Sequence, residues 1–383
     1  MSISLLNKND EYHLQSSDVP HFEYLDSLRG LAIIGVIIVH SYIVSGIDPN
    51  TYKLLFFGQR GVQLFYIVSA FTLFNSMSER QGRERFPKLN FFIRRVFRIG
   101  PMFYLAIMGN IIYLYLNGAQ VFPLSAKEMI LGLLFLHGWD QNAILSVAIG
   151  GWSVADEFSF YLIFPIIFSG IRNFRYSLLI FIASAAIFPL ISALFLYYKL
   201  GRFDFSDKNA EYFFFYWFPI QFPVFILGVA TYYASKIMQN LISDEYERKF
   251  ISFFCFILGL FIITASMPTR NMTLYLSSLG LAFVVLSLSI NPFSVIVNSF
   301  TIFLGKISYS VYLIHFFLII ALHTFLMPFI YNYRPLYIGQ LWYFMLVLIF
   351  TAFTACICAF YTYRYIELPS IRAGKELIVY LNK

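Results

Sequence analysis

Charge is scarce in this chain: only 12% of its 383 residues are Asp, Glu, Lys or Arg, about half the share of a soluble domain. Apolar residues make up 59% and aromatic residues 20%, with a mean hydropathy of +0.71. That composition disfavours a water-soluble enzyme, a nucleic-acid binder and a disordered protein, and leaves a polytopic membrane protein. The net charge of +7 does not point to nucleic acid, because the basic residues fall in short runs between apolar stretches, as cytoplasmic loops do. Cysteine is nearly missing too. Cys255, Cys356 and Cys358 lie in apolar segments without ligand partners nearby, so neither a disulfide framework nor a metal site is expected. The chain opens on a polar segment, 1–23, with Asp10, Glu11, Asp18 and Glu23, and no basic stretch precedes a cleavable apolar core. No signal peptide is read there. No internal repeat, low-complexity tract or long Gly/Ser linker divides the rest. One membrane domain, 24–370, is expected between the N-terminal segment and a tail, 371–383.

A spanning helix needs about 20 mostly apolar residues. Ten such spans are predicted, near 26–46, 60–77, 99–117, 152–171, 176–198, 213–234, 250–267, 272–290, 306–330 and 340–363. The fold class is therefore all-α, a transmembrane helix bundle. Met129–Leu136 is apolar but too short to cross, and reads as a re-entrant or interfacial segment. With the N-terminus inside, 19 of the 27 Lys and Arg fall on the inner side, seven of them between Arg80 and Arg98. The positive-inside rule then puts both termini in the cytoplasm.

Polar residues inside spans are costly, so they carry the functional signal. In the first span Arg29 and His40 are eleven residues apart, which places both on one face, about 16 Å apart along the axis. Arg29 sits at the inner surface and His40 in the outer half, within a wholly apolar run. Arg29 reads equally as a snorkelling side chain. In Asn90–Tyr104, Arg94, Arg95 and Arg98 meet the inner face where the third span begins, with Pro101 in its first turn. They read either as an anchoring basic loop or as a site for a polyanion, since guanidinium groups suit phosphates.

In Gly150–Pro165, Ser153, Glu157 and Tyr161 repeat at i, i+4, i+8 and form one polar stripe. Glu157 falls about one turn below the outer surface, at a depth similar to that of His40. Asp156 points elsewhere, as an interfacial acid would. In Leu304–His315, Ser308, Tyr312 and His315 share a face and His315 rises toward mid-membrane, for packing or for function. His137, beside Gly138 and Trp139, either lines the mouth of a site or is solvated. His323, His13 and His21 read as structural or solvated.

In order along the chain, these stretches resemble the acyltransferase-3 family of bacterial integral-membrane acyltransferases, the O-acetylases of surface polysaccharide, lipopolysaccharide and peptidoglycan. The elements that carry the resemblance are Arg29 with His40, the run Gly61–Ser69, and Arg94, Arg95 and Arg98 with Pro101. They continue with Gly150-Gly-Trp-Ser-x-x-x-Glu157, Gly305–His315 and Tyr365-Ile-Glu-Leu-Pro369. Ser146–Gly150 lacks the proline often found before that Gly-Gly-Trp, a departure confined to the outer loop. Family members often carry an attached periplasmic hydrolase-like domain; none is expected in a chain ending within 20 residues of its last span.

The resemblance implies a multi-pass protein of the bacterial inner membrane that moves an acyl group, usually acetyl, from cytoplasmic acyl-CoA to a glycan hydroxyl outside. Acetyl-CoA or another acyl-CoA is then a co-substrate, a glycan is the acceptor, and no metal is needed. His40 would serve as the base that a poorly nucleophilic hydroxyl requires. Glu157 would orient the imidazole or stabilise its cation. Arg29, Arg94, Arg95 and Arg98 would hold the CoA phosphates. The acceptor would enter past Trp152, with Ser153, Tyr161, His315 and His137 lining its path. A transporter or flippase for a lipid-linked glycan is the rival reading, in which the buried His and Glu relay protons; no inverted halves or paired broken helices support it.

Overall fold

The computed structural model describes residues 22–47, 55, 57–118, 124–198, 208–266, 272–331 and 337–382. Segment 1–21 with His13 and His21, and the counted charges Lys53, Lys199, Arg202, Arg270, Arg334 and Lys383, lie outside the described residues. Among those described, all regular structure is helical: α1 Glu23–Val44, α2 Gly61–Arg80, α3 Pro87–Leu116, the short α4 Ala126–Leu133 and α5 Ala143–Ser146, then α6 Trp152–Gly170 and α7 Phe174–Tyr198. There follow α8 Lys208–Tyr216, α9 Phe218–Leu241, α10 Glu245–Ala265, α11 Met272–Ile290, α12 Ser299–Tyr331, α13 Tyr337–Thr362 and α14 Leu368–Asn382.

Each of the ten expected spans coincides with a helix, and nine helices among the described residues are long and apolar enough to cross a bilayer. The exception is α2. It carries Gln63, Ser69, Thr72, Asn75, Ser76 and Ser78; it packs between α1 and α9, buries Gln63 and Asn75, and turns Ser69 and Thr72 to the first cavity. Its place inside the bundle makes it the inner wall of the site.

Glycines set the closest helix contacts. A Cβ on Gly305 would stand 1.9 Å from the Asp26 carbonyl oxygen, and one on Gly30 2.3 Å from that of Thr301. Helices α1 and α12 therefore touch backbone to backbone, as small residues permit in membranes. Gly228 likewise seats α9 on Ile67 of α2, and Gly259 and Gly280 join α10 to α11.

Helix α3 corrects the expected position of Pro101. The helix starts at Pro87, so the three arginines lie within it and Pro101 lies inside it rather than in its first turn. An internal proline cannot donate to the carbonyl four residues back. That carbonyl, Phe97 O, instead accepts from Ser370 Oγ of α14 at 2.7 Å. The expected tail is thus a helix packed on α3, with Gly374 against the Phe97 side chain. A π-helical turn, Tyr363–Glu367, links it to α13 and buries Glu367.

The short segment expected to re-enter or lie at the interface is α4, eight residues closed at its start by a Ser125–Glu128 capping box. Eight residues rise only about 12 Å, too little to cross. At its end Leu136 N reaches Leu131 O and Phe135 N reaches Gly132 O, with Phe135 itself at φ 60°. This is the terminal motif that normally uses glycine. The Phe135 ring is held there by stacking on Phe103 and Phe158.

Candidate active site

Two adjoining cavities run along α1. The first surrounds the end that carries Arg29 and is lined also by Arg95, Arg98, Ser69, Thr72, Glu157, Tyr161 and Tyr309. Arg29 donates to Asp26 Oδ1 at 2.7 Å and to Thr72 Oγ1 at 2.9 Å, which fixes it in the wall. Arg95 lies over the rings of Phe91 and Tyr161, 5.7 Å from each centroid. Arg98 remains exposed to the cavity, and Glu157, Glu367 and Asp26 stand within its electrostatic range. Among the described residues neither Arg95 nor Arg98 has a carboxylate in ion-pair contact, so the cavity carries an excess of positive charge suited to a polyanion.

Arg94 does not join them. It grips Glu84 with two hydrogen bonds, at 2.8 and 3.1 Å, and Asn90 holds the same carboxylate at 2.9 Å. On a helix, Arg95 and Arg98 are i, i+3 neighbours and can share a face as readily as Arg94 and Arg98. The ion pair with Glu84 withdraws Arg94 and leaves Arg95 with Arg98 at the cavity. Arg94 is a strut for the turn before α3.

The second cavity lies farther along α1, lined by Val36, Val39, His40, Gln59, Arg60, Gln63, Trp152, Tyr216 and Phe316. Val62 and Tyr312 line both cavities and mark the boundary between them. Tyr312 is held there by a hydrogen bond from Ser153 Oγ at 2.8 Å and by donating to Gly150 O at 3.0 Å.

His40 meets His315, not Glu157. The pair follows from the glycine contact below it: ten residues beyond Gly30 and ten beyond Gly305, about 15 Å of rise on parallel helices, bring the two rings together. His315 Nε2 and His40 Nδ1 are 3.1 Å apart. His315 Nδ1 faces two acceptors, Tyr312 O at 2.6 Å and Val311 O at 3.2 Å, so this nitrogen carries the proton. In a neutral imidazole Nε2 is then bare and accepts from His40 Nδ1–H. The chain of hydrogen bonds leaves the His40 Nε2 lone pair without a proton.

Glu157 accepts instead from Ser69 Oγ at 2.7 Å and from the Tyr161 hydroxyl, in the first cavity. The expected contact between Glu157 and His40 is therefore corrected. Helix ends alone suggest equal depth, but Glu157 lines the first cavity and His40 the second. Asp156 is corrected as well: it is fully buried and accepts from Tyr66 OH at 3.0 Å. His137 lines neither cavity. Its buried ring stacks on Phe103 and reaches Gly151 O at 3.0 Å, bracing the Gly-Gly-Trp turn. Trp152 lines the second cavity with its ring 4.3 Å from that of Tyr216, and Tyr161 and Ser153 line the first.

Arg60 and Gln59 were not singled out from the sequence, because both sit at the end of an expected span where polar residues are ordinary. Buried Glu367, which accepts from Ser310 Oγ, was legible only as part of a motif.

A bundle of apolar helices around two adjoining cavities, one lined by arginines and one by an imidazole, defines a multi-pass membrane protein with a polar site within its spans. The chain belongs to the family described as an acyltransferase domain, whose model matches residues 22–361. It is similar to the O-acetyltransferase OatA of Staphylococcus aureus (strain NCTC 8325 / PS 47), 24% identical over 388 aligned positions that cover 94% of this chain and 58% of the relative. A putative O-acetyltransferase of S. aureus strain COL is also 24% identical, covering 91% of this chain and 57% of the relative. The chain thus spans a little over half the length of these relatives. No solved structure matches it.

Proposed function

We propose that this protein is an O-acetyltransferase of the bacterial inner membrane, passing an acyl group, most simply acetyl, from cytoplasmic acyl-CoA to a hydroxyl of a glycan outside. The observation that carries the reading is the pair of abutting cavities, one lined by arginines and the other by an imidazole with a free lone pair. Arg29, Arg95 and Arg98 hold the CoA phosphates. The acyl thioester reaches the Tyr312 boundary, and the acceptor approaches it from the side of Trp152 and Tyr216.

His40 Nε2 removes the proton of the acceptor hydroxyl as its oxygen attacks the thioester carbonyl. The tetrahedral intermediate expels the CoA thiolate, which recovers the proton from His40. His315 acts through His40: its proton on Nδ1 fixes the tautomer, the part that a carboxylate plays behind other catalytic histidines. Glu157, held by Ser69 and Tyr161, balances the arginines and sets how strongly they grip phosphate.

The test is acetylation of the host's surface glycan by the full chain. His40→Ala is expected to lose it entirely while inserting normally. Wild-type acetylation in that variant would overturn the assignment.

A further inference from the structure

We propose that the cavity beside His40 takes an acceptor bearing a fixed negative charge, a carboxylate or phosphate near the acylated hydroxyl, and that Arg60 pairs with it. The fate of the hydroxyl rests on the acyltransferase reading; the charge rests on the surroundings of Arg60.

Arg60 ends a 3-10 turn, Phe57–Arg60, is only 6% exposed, and lines the same cavity as His40. One of its nitrogens donates to Thr273 Oγ1 at 3.1 Å. No carboxylate among the described residues is in ion-pair contact with it, and its cavity neighbours Gln59 and Gln63 are uncharged. Other arginines near the site are served differently: Arg29 has Asp26, Arg94 has Glu84, Arg95 lies on two aromatic rings, and Arg98, unpaired too, is exposed rather than buried. A guanidinium does not shed its proton in a protein. Buried without an anion among the described residues, it keeps a desolvation cost that the bond to Thr273 offsets only in part and that an anionic ligand would relieve.

The position of Arg60 is fixed by its turn. A Cβ on Gly58 would stand 2.2 Å from Gly35 O, and one on Gly61 2.4 Å from Ala32 O. The turn therefore lies on the backbone of α1 in the two turns below His40, and the side chain is committed to that side of the cavity. Gln63 is tied to Gln221 at 3.1 Å, which keeps the amide wall in place. The same cavity is lined by the aromatic side chains of Trp152, Tyr216 and Phe316. Rings to cover the apolar face of a sugar, amides for its hydroxyls and an uncompensated arginine together match an acidic sugar. A neutral one would bury the guanidinium further without relieving it.

The experiment uses the full chain in nanodiscs, with trigalacturonate, its methyl ester, glucose 6-phosphate and glucose as probes, followed by binding and by acetyl transfer from acetyl-CoA. At least one acidic probe is expected to bind tenfold or more tightly than its neutral counterpart, with the margin shrinking in high salt. Preference for trigalacturonate identifies a carboxylate, and preference for glucose 6-phosphate a phosphate. Arg60→Gln should erase the preference and Arg60→Lys keep part of it, with acetyl-CoA binding unchanged in both. Equal binding of acidic and neutral probes, no binding of either acid, or a preference that survives Arg60→Gln would overturn the proposal. Should Arg60→Gln fail to fold, the comparison of probes on the wild type decides alone. Acid binding that depends on Arg60 without acyl transfer to any probe would sink the acyltransferase reading and spare this one; transfer to neutral sugars without preference would do the reverse.

Discussion

His40 and His315 illustrate how a single buried proton sets a chemical role. His315 commits its Nδ1 proton to the Tyr312 carbonyl, and the remaining lone pair orders the tautomer of His40. His315→Leu is expected to lower kcat roughly tenfold, a fraction of the ~100- to 10,000-fold that a general base contributes. His315→Gln, whose amide oxygen still accepts, should recover most of that loss and restore the pH profile. A purely packing role would instead favour Leu over Gln. Glu157→Gln has a different signature, because Glu157 sits among the arginines. It should change KM for acyl-CoA and leave the pH dependence of kcat alone. A changed pH profile in that variant would return Glu157 to the side of His40.

At this scale the sequence exposed the costly residues but not their partners. His40, Arg29, Glu157 and His315 were conspicuous because each interrupts an apolar run. Periodicity says which residues of one helix share a face, and not which helix that face meets. Periodicity therefore pairs Glu157 with His40, and makes Asp156, one position away and fully buried, look like an acid facing water. Arg60 was hidden because a span's end is an ordinary place for a basic residue.

Among the elements, α1 and α12 carry the site because they touch at glycine. Gly305→Ala would put a Cβ within 1.9 Å of the Asp26 carbonyl oxygen, and backbone cannot yield as a side chain can. Forced overpacking of this kind costs about 1–3 kcal/mol. The variant should unfold at a lower temperature and lose activity together with His40 contact. Gly170→Ala, where a Cβ meets nothing within 4 Å, is the control and should do neither. Glycines of this sort look unremarkable in sequence, since their value lies in a partner helix more than 270 residues away.

Helix α3 shows the opposite difficulty. Its arginine-rich first half resembles a loop by composition, so the sequence pattern starts the span near residue 99, with Pro101 at its beginning. The helix in fact begins at Pro87, and Ser370 compensates for the proline. Ser370→Ala should leave the Phe97 carbonyl unpaired and cost about 1–3 kcal/mol, seen as a lower melting temperature with α14 exchanging faster. Unchanged exchange would mean that α14 is held by its other contacts alone.

At the scale of the molecule, the number and place of the helices were legible because spanning a bilayer forces about 20 apolar residues into one run. Only α2 departs, and it does so where it lines the site. Outside the spans, burial pulls the His137 imidazole down to about 4, with the Gly151 carbonyl opposing in part. A folded value below the unfolded one near 6.5 means that the unfolded segment takes up a proton first as pH falls. The segment around α4 and α5 should therefore lose protection between about pH 6.5 and 4, and His137→Phe should remove that part of the acid sensitivity. Protection unchanged from pH 7 to 4 in the wild type would contradict the buried, neutral ring.

The central claim concerns passage of an acyl group through the bundle from the arginine cavity to His40, and it is tested most directly in sealed proteoliposomes with one orientation of the protein. Labelled acetyl-CoA is supplied only on the side of Arg98, and the glycan acceptor only on the side of Trp152. The account predicts label on the acceptor with wild-type protein and none with His40→Ala. Transfer that requires donor and acceptor on the same side, or that persists in His40→Ala, would contradict it.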